Sequence, residues 1–186
     1  MSRTMLTGLA LLALALPALA GGVGEPVGAL EGQDDRGQRH RLADHRGKAV
    51  VFVVWSASCR SSEAYAARLQ ALTRHAASEG AVVLGVAPHA GDDAAAVRQA
   101  KERQGLPFPV LLDPGGRLAG LLGASVTPTA CVVDGQGVLR YRGAIDDDPT
   151  GARGDATPFL REALDAVLAG QAPARPETRP AGRPIR

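Results

Sequence analysis

The chain has 186 residues, 45% of them apolar, and its 21 basic and 19 acidic side chains leave a formal net charge of +2 at pH 7. That length and apolar content suit one hydrophobic core with tails and leave too little for two comfortable domains. The basic residues are scattered, without stripes or interleaved aromatics, which argues against a nucleic-acid surface.

In chain order, MSRTMLTGLALLALALPALA at residues 1–20 joins an early Arg3, an apolar run from Met5 to Leu16 and a small-residue end at Ala18-Leu19-Ala20. This is the three-part pattern of an export signal, with cleavage expected after Ala20. The run is shorter than the about 20 apolar residues of a membrane-spanning helix, and Pro17 interrupts it. The mature protein is expected to be exported, to the periplasm or the extracellular space, with no transmembrane segment after cleavage. Residues 21–28, GGVGEPVG, read as a flexible lead-in, and residues 21–170 as the single domain.

ALEGQDDRGQRHRLADHRGK suggests a loose hairpin turning at Asp34-Asp35-Arg36-Gly37. The continuous β-branched run AVVFVV, residues 49–54, is the pattern of a strand buried on both faces in a parallel sheet, and AVVLGVA at 81–87 is another. Between them Tyr65, Leu69, Leu72 and Ala76 recur at helical spacing, predicting a helix over about Arg60 to Ser78 and a right-handed parallel unit. DDAAAVRQAKERQ, residues 92–104, predicts another helix. FPVLLD suggests a short strand and RLAGLLG a short helix. ACVVD and GVLRYRG, joined by Gly135-Gln136-Gly137, predict an antiparallel hairpin. The stripe of Phe159, Leu160, Ala163, Leu164, Val167 and Leu168 predicts a closing helix. The expected fold class is α/β, with a central mixed sheet and helices on both faces. QAPARPETRPAGRPIR, residues 171–186, has little to bury and is expected to be an extended or disordered tail.

The chain has two cysteines, Cys59 and Cys131. Cys59 falls where the first buried strand gives way to a helix, at the sheet end where ligands bind in parallel α/β folds. A helix N-terminus favours thiolate over thiol; Arg60 pushes the same way and Glu63 opposes it. The bland alternative is a small packing residue, or one half of a structural bridge to Cys131 in an oxidising compartment. Pro128 in VTPTACVVD must open its strand, since it cannot donate to a ladder. His40, His45, His75 and His89 show no paired ligand spacing, so surface or capping roles are expected. Asp146-Asp147-Asp148 reads as a solvated loop. No metal and no cofactor is expected. Trp55 reads as a packing residue beside the site, with partner contact as the second reading.

Taken together, GKAVVFVVWSASCRSSEAY, PFPVLLDPGG, LGASVTPTACVVDGQG and RYRGAIDD resemble the thioredoxin-like fold, and within it the exported bacterial redoxins, thioredoxin-like and peroxiredoxin-like, over roughly residues 27–170. The resemblance implies that Cys59 is the attacking cysteine and Pro128 a cis-proline facing it. It implies a thiol-dependent oxidoreductase, a disulfide reductase or an antioxidant peroxidase.

The departures from the family's pattern are as informative. The second sulfur of a C-x-x-C motif is replaced by Ser62, which can donate a hydrogen bond to the sulfur but cannot form a disulfide. Ser56 fills the place of a peroxidatic Thr, while Phe52 stands where the matching Pro would be. Arg140 and Arg142 are both candidates for a substrate-activating arginine. Some exported relatives carry a cysteine just after the glycine of the last segment, where this chain has Gly182-Arg183. Cys131 lies three residues beyond Pro128, about 10 Å along a strand, and a disulfide needs Cα atoms within about 7 Å. It is therefore expected to be a core residue.

The expected catalytic set is Cys59, Ser62 and Pro128, with Trp55, Ser56, Arg60 and Thr127 as substrate contacts. The expected partners are a protein or small-molecule disulfide or peroxide, with an external thiol reductant or partner protein completing turnover. A non-catalytic binding module that captures a partner beside Pro128 is the alternative.

Overall fold

The computed structural model describes residues 21–185, and the expected export signal at 1–20 lies outside them. A short antiparallel hairpin, β1 (Glu31–Gln33) and β2 (Arg39–Arg41), leads through a 3-10 turn at Leu42–His45 into β3 (Val50–Val54). The helix predicted after it is split at Tyr65 into α1 (Arg60–Ala64) and α2 (Ala66–Ser78). Then come β4 (Val82–Ala87), α3 (Ala94–Gln104), β5 (Val110–Leu112), α4 (Arg117–Leu121), β6 (Val126–Thr127), β7 (Thr129–Val133), β8 (Leu139–Gly143), α5 (Phe159–Leu168) and β9 (Arg183–Pro184). The central sheet has five strands in the order β5-β4-β3-β7-β8. β3, β4 and β5 run parallel, and β7 and β8 add antiparallel, so the sheet is mixed as expected.

Every residue of β3 is buried because both of its faces are covered. Val51 and Val53 face one apolar layer with Leu69 and Leu72 of α2, Val97 of α3 and Leu160 and Leu164 of α5. Val50, Phe52 and Val54 face the other, with Leu118 and Leu122 at α4 and with Val27 and Leu30. Fully burying a side chain of that size contributes about 1.5–3 kcal/mol, which is why a five-residue strand can anchor the fold. The two crossovers β3-α2-β4 and β4-α3-β5 deliver the C-terminal ends of β3 and β4 to the same sheet edge.

Three expectations are corrected. The lead-in is not loose: Gly24 N–H donates to Leu139 O at 2.7 Å and Val27 N–H to Gly137 O at 3.0 Å, which ties it to the start of β8. The acidic loop is not solvated. Asp146 and Asp148 are each 4% exposed; Asp146 pairs with Arg68, while Asp148 accepts from the backbone of Thr150 and Arg153.

The segment after α5, up to residue 185, is extended but docked. Arg142 N–H donates to Pro176 O and Thr178 N–H to Arg142 O, and β9 pairs antiparallel with β6. Its order comes from backbone hydrogen bonds to exposed strand edges, which composition does not encode.

Candidate active site

Cys59 is the N-cap residue of α1, at the point where the chain leaves β3, and is 5% exposed. Its Sγ donates to Thr127 O at 3.4 Å. Thr127–Pro128 is a cis peptide bond, and the carbonyl before the proline faces the sulfur. Burial pushes the Cys59 pKa up, but hydrogen bonds from the backbone and hydroxyl of Ser62, from Thr127 and from the Ser61 backbone outweigh it, and the thiol is held below its ordinary value. The Ser62 hydroxyl accepts from Ser56 N–H at 3.3 Å, which leaves its own proton for the sulfur. Arg60 is exposed, and the leading causes of the shift are burial and hydrogen bonds rather than its charge.

The turn ahead of the cysteine is held from β4. Asp92, in the loop after that strand, is 4% exposed and accepts from Ser56 Oγ at 3.2 Å and Ala57 N–H at 3.1 Å. Burial raises its carboxyl pKa against the opposing hydrogen bonds. His89, 7% exposed, shares a hydrogen bond of 3.2 Å with Thr127 Oγ1. Burial lowers its pKa and Arg183 adds to the effect, so the ring is neutral at pH 7.

The terminal segment completes the surroundings. Thr127 pairs with Arg183 in the β6–β9 register, Ile185 N–H donates to Ser125 O at 2.9 Å, and Arg183 Nη1 donates to Ser58 Oγ at 3.1 Å. Gly182 is required there, since a Cβ at that position would stand 2.0 Å from Thr127 O.

The sequence matches the family model described as the AhpC/TSA family over residues 23–142, a span that holds Cys59, Ser62, Thr127 and Pro128. The chain belongs to the AhpC/TSA family. It is 29% identical over 107 residues to the thiol-disulfide oxidoreductase ResA of Geobacillus thermodenitrificans, covering 58% of this chain and 60% of that relative's length. In structure it is similar to a hypothetical protein of Sinorhizobium meliloti, with a TM-score of 0.80, 24% identity, and coverage of 88% of this chain and 93% of the other. It is also similar to the exposed lipoprotein thioredoxin of Streptococcus pneumoniae, with a TM-score of 0.51, 28% identity, and coverage of 61% and 87%. The fold is thioredoxin-like.

In this family member the residues expected at the site divide into three groups. Cys59, Ser62, Thr127 and Pro128 converge. Trp55 and Ser56 are both fully buried, and Ser56 is bound to Asp92 rather than directed at the sulfur, so neither is open to a substrate. Arg140 and Arg142 pair with Asp134 and Glu177. The arginine brought to the site from a distance is Arg183, from the segment expected to be extended or disordered.

His89 and Asp92 were outside the expected set. Their signal was position: both come after β4, parallel to β3, so their loop had to emerge next to Cys59.

Proposed function

We infer that the protein is a thiol-dependent oxidoreductase in which the Cys59 thiolate attacks a peroxide or a disulfide, and in which no second cysteine of the chain completes the cycle. One observation carries this reading: a nearly enclosed thiol whose hydrogen bonds favour the thiolate, with Ser62 where a resolving sulfur would stand. Attack on a peroxide gives a sulfenic acid with loss of water or alcohol, and attack on a disulfide gives a mixed disulfide with loss of a thiolate. An external thiol then returns Cys59 to its reduced form.

Capture of a protein partner along the strand beside Pro128 is disfavoured, because β9 already pairs with that edge. Export to an extracytoplasmic compartment is part of the reading and rests on the leader pattern at residues 1–20.

The test is stopped-flow oxidation of the reduced protein by hydrogen peroxide and by a model disulfide. One equivalent of thiol should be lost with at least one oxidant, and Cys59→Ser should abolish the reaction. Equal reactivity of wild type and Cys59→Ser would overturn the reading.

A further inference from the structure

If Cys59 works without a partner sulfur in its own chain, the regenerating thiol has to arrive from outside, and its route is restricted. The β6 edge, where an extended protein segment would add as a strand, is taken by β9. What stays open is a cleft of about 480 Å³ lined by Ser58, His89, Ala90, Gly91, Arg183 and Pro184. It adjoins Cys59 through Ser58, the preceding residue, and through Arg183, the register partner of Thr127. It is a space for a small molecule.

The charge of this cleft is one-sided. Arg183 is exposed, makes a single side-chain hydrogen bond, to Ser58 Oγ, and has no carboxylate within ion-pair distance among the described residues. Its planar fork of donors is thereby left largely unused. The acid nearest in effect, Asp92, is buried and committed to Ser56 and Ala57. His89 is turned to Thr127 Oγ1 and is neutral at pH 7. Among the residues that line the cleft, Arg183 is therefore the one that carries a charge at pH 7.

We propose that Arg183 is a specificity-determining residue that docks the carboxylate of a low-molecular-weight thiol in this cleft, so that the thiol sulfur reaches oxidised Cys59. The proposal rests on the monothiol reading of Cys59. The chemistry balances with two thiols and one peroxide. Cys59 thiolate, a proton and the peroxide give Cys59 sulfenic acid and water or alcohol. The first thiol forms a sulfur–sulfur bond with Cys59 and releases water. The second thiol attacks the outer sulfur, which leaves as the symmetrical small disulfide while Cys59 recovers its proton.

The thiol step can be isolated from the peroxide step. Reduced protein is converted at Cys59 to the uncharged thiopyridyl mixed disulfide, and release of thiopyridone is monitored on adding 3-mercaptopropionate, 2-mercaptoethanol or cysteamine. Each thiol is compared between wild type, Arg183→Ala and Arg183→Lys, which cancels its intrinsic nucleophilicity. Arg183→Ala should slow the carboxylated thiol about tenfold relative to mercaptoethanol, the scale of one charge-assisted hydrogen bond. It should speed cysteamine relative to mercaptoethanol, and the wild-type preference should shrink in about 0.5 M salt. Arg183→Lys should keep part of the preference.

Equal changes for all three thiols would make Arg183 a mere cover and overturn the proposal, as would no change at all. Failure of Cys59 to react with either oxidant in stopped flow would overturn the monothiol reading instead, whereas thiol selectivity is read on protein whose Cys59 has already formed the mixed disulfide, so the two failures are distinct.

Discussion

The protein contains two buried cysteines whose surroundings drive them in opposite directions. Cys59, at the end of β3, is 5% exposed, and Cys131, in the middle of β7, is fully buried. Burial opposes the thiolate in both. Around Cys59 the donors of Ser61, Ser62 and Thr127 overcome it, and the pKa falls. Around Cys131 only the charge of Arg142 helps, and burial pushes the pKa up to about 12. Cys131 lies opposite Phe52 in the sheet, in the apolar layer under α4, with its sulfur 3.8 Å from Leu122 O. Enclosure alone therefore says little about a cysteine; what decides is whether the enclosing groups can donate hydrogen bonds to sulfur. Strand ends and helix starts have unpaired N–H groups to offer, and a strand middle has spent its own on neighbours.

The largest test of this contrast is alkylation of the folded protein. At pH 7 the two thiols differ in thiolate fraction before access is counted, because the pKa of Cys59 is lowered and that of Cys131 is pushed up to about 12. Iodoacetamide should modify Cys59, with a midpoint below that of an ordinary thiol, and should modify Cys131 only after unfolding. Peptide mass mapping of samples quenched across pH 5–10 reads both sites at once. Comparable modification of both in the native state would break the comparison.

A smaller effect sharpens it. Ser62→Ala removes one hydroxyl donor near Cys59 and also the acceptor of Ser56 N–H. The Cys59 midpoint should move up, and its alkylation rate at pH 7 should fall by about threefold to tenfold, the range of one hydrogen bond to a charged group. Cys131 should stay unreactive. The linkage has a definite sign: a thiol with a lowered folded pKa adds stability that is fully present above the unfolded pKa and is lost as pH falls through the folded value. Ser62→Ala should therefore flatten the rise in stability between the lowered folded value and the ordinary thiol range. An unchanged midpoint would assign the lowered pKa to the backbone donors of Ser61 and Ser62 and to Thr127.

Much of this site was legible because it is local. The run at residues 50–54 announces a strand buried on both faces, the helical spacing from Tyr65 to Ala76 announces the helical segment after it, and Cys59 lies at the junction. Thr127-Pro128 was readable as a strand opening. The part that was not legible is contributed from a distance. Asp92 stood in a helix-start pattern, yet Asp93 is the residue that caps α3, accepting from Ala96 N–H at 2.8 Å, and this frees Asp92 to bind the turn ahead of Cys59. The terminal segment reads as solvated because its side chains bury little, and no periodicity records that its backbone fits the β6 edge. Trp55 reads from the sequence as a packing residue, with partner contact as the second reading, and the alternation of β3 sends it into the layer with Leu69, which leaves the packing role.

Asp92 supplies the smallest and most selective test, because it serves the Cys59 side of the contrast and has no counterpart at Cys131. Its Oδ1 takes both hydrogen bonds from the turn, while Oδ2 is buried with no partner among the described residues. Asp92→Asn can keep the first interaction and removes the buried charge. With a raised folded pKa, ionisation costs folding stability as pH climbs from the ordinary carboxylate range through the folded value, and the penalty is constant above it. Asn has no such slope. Denaturant midpoints should therefore show the Asn variant gaining on wild type across that window and holding a constant advantage at higher pH. The advantage is bounded by the cost of one unpaired buried polar group, about 1–3 kcal/mol. Parallel curves at every pH would mean that the carboxylate is fully compensated in the folded protein. The turn ahead of Cys59 would then be held without electrostatic cost, by the same kind of hydrogen bonding that lowers the pKa of Cys59.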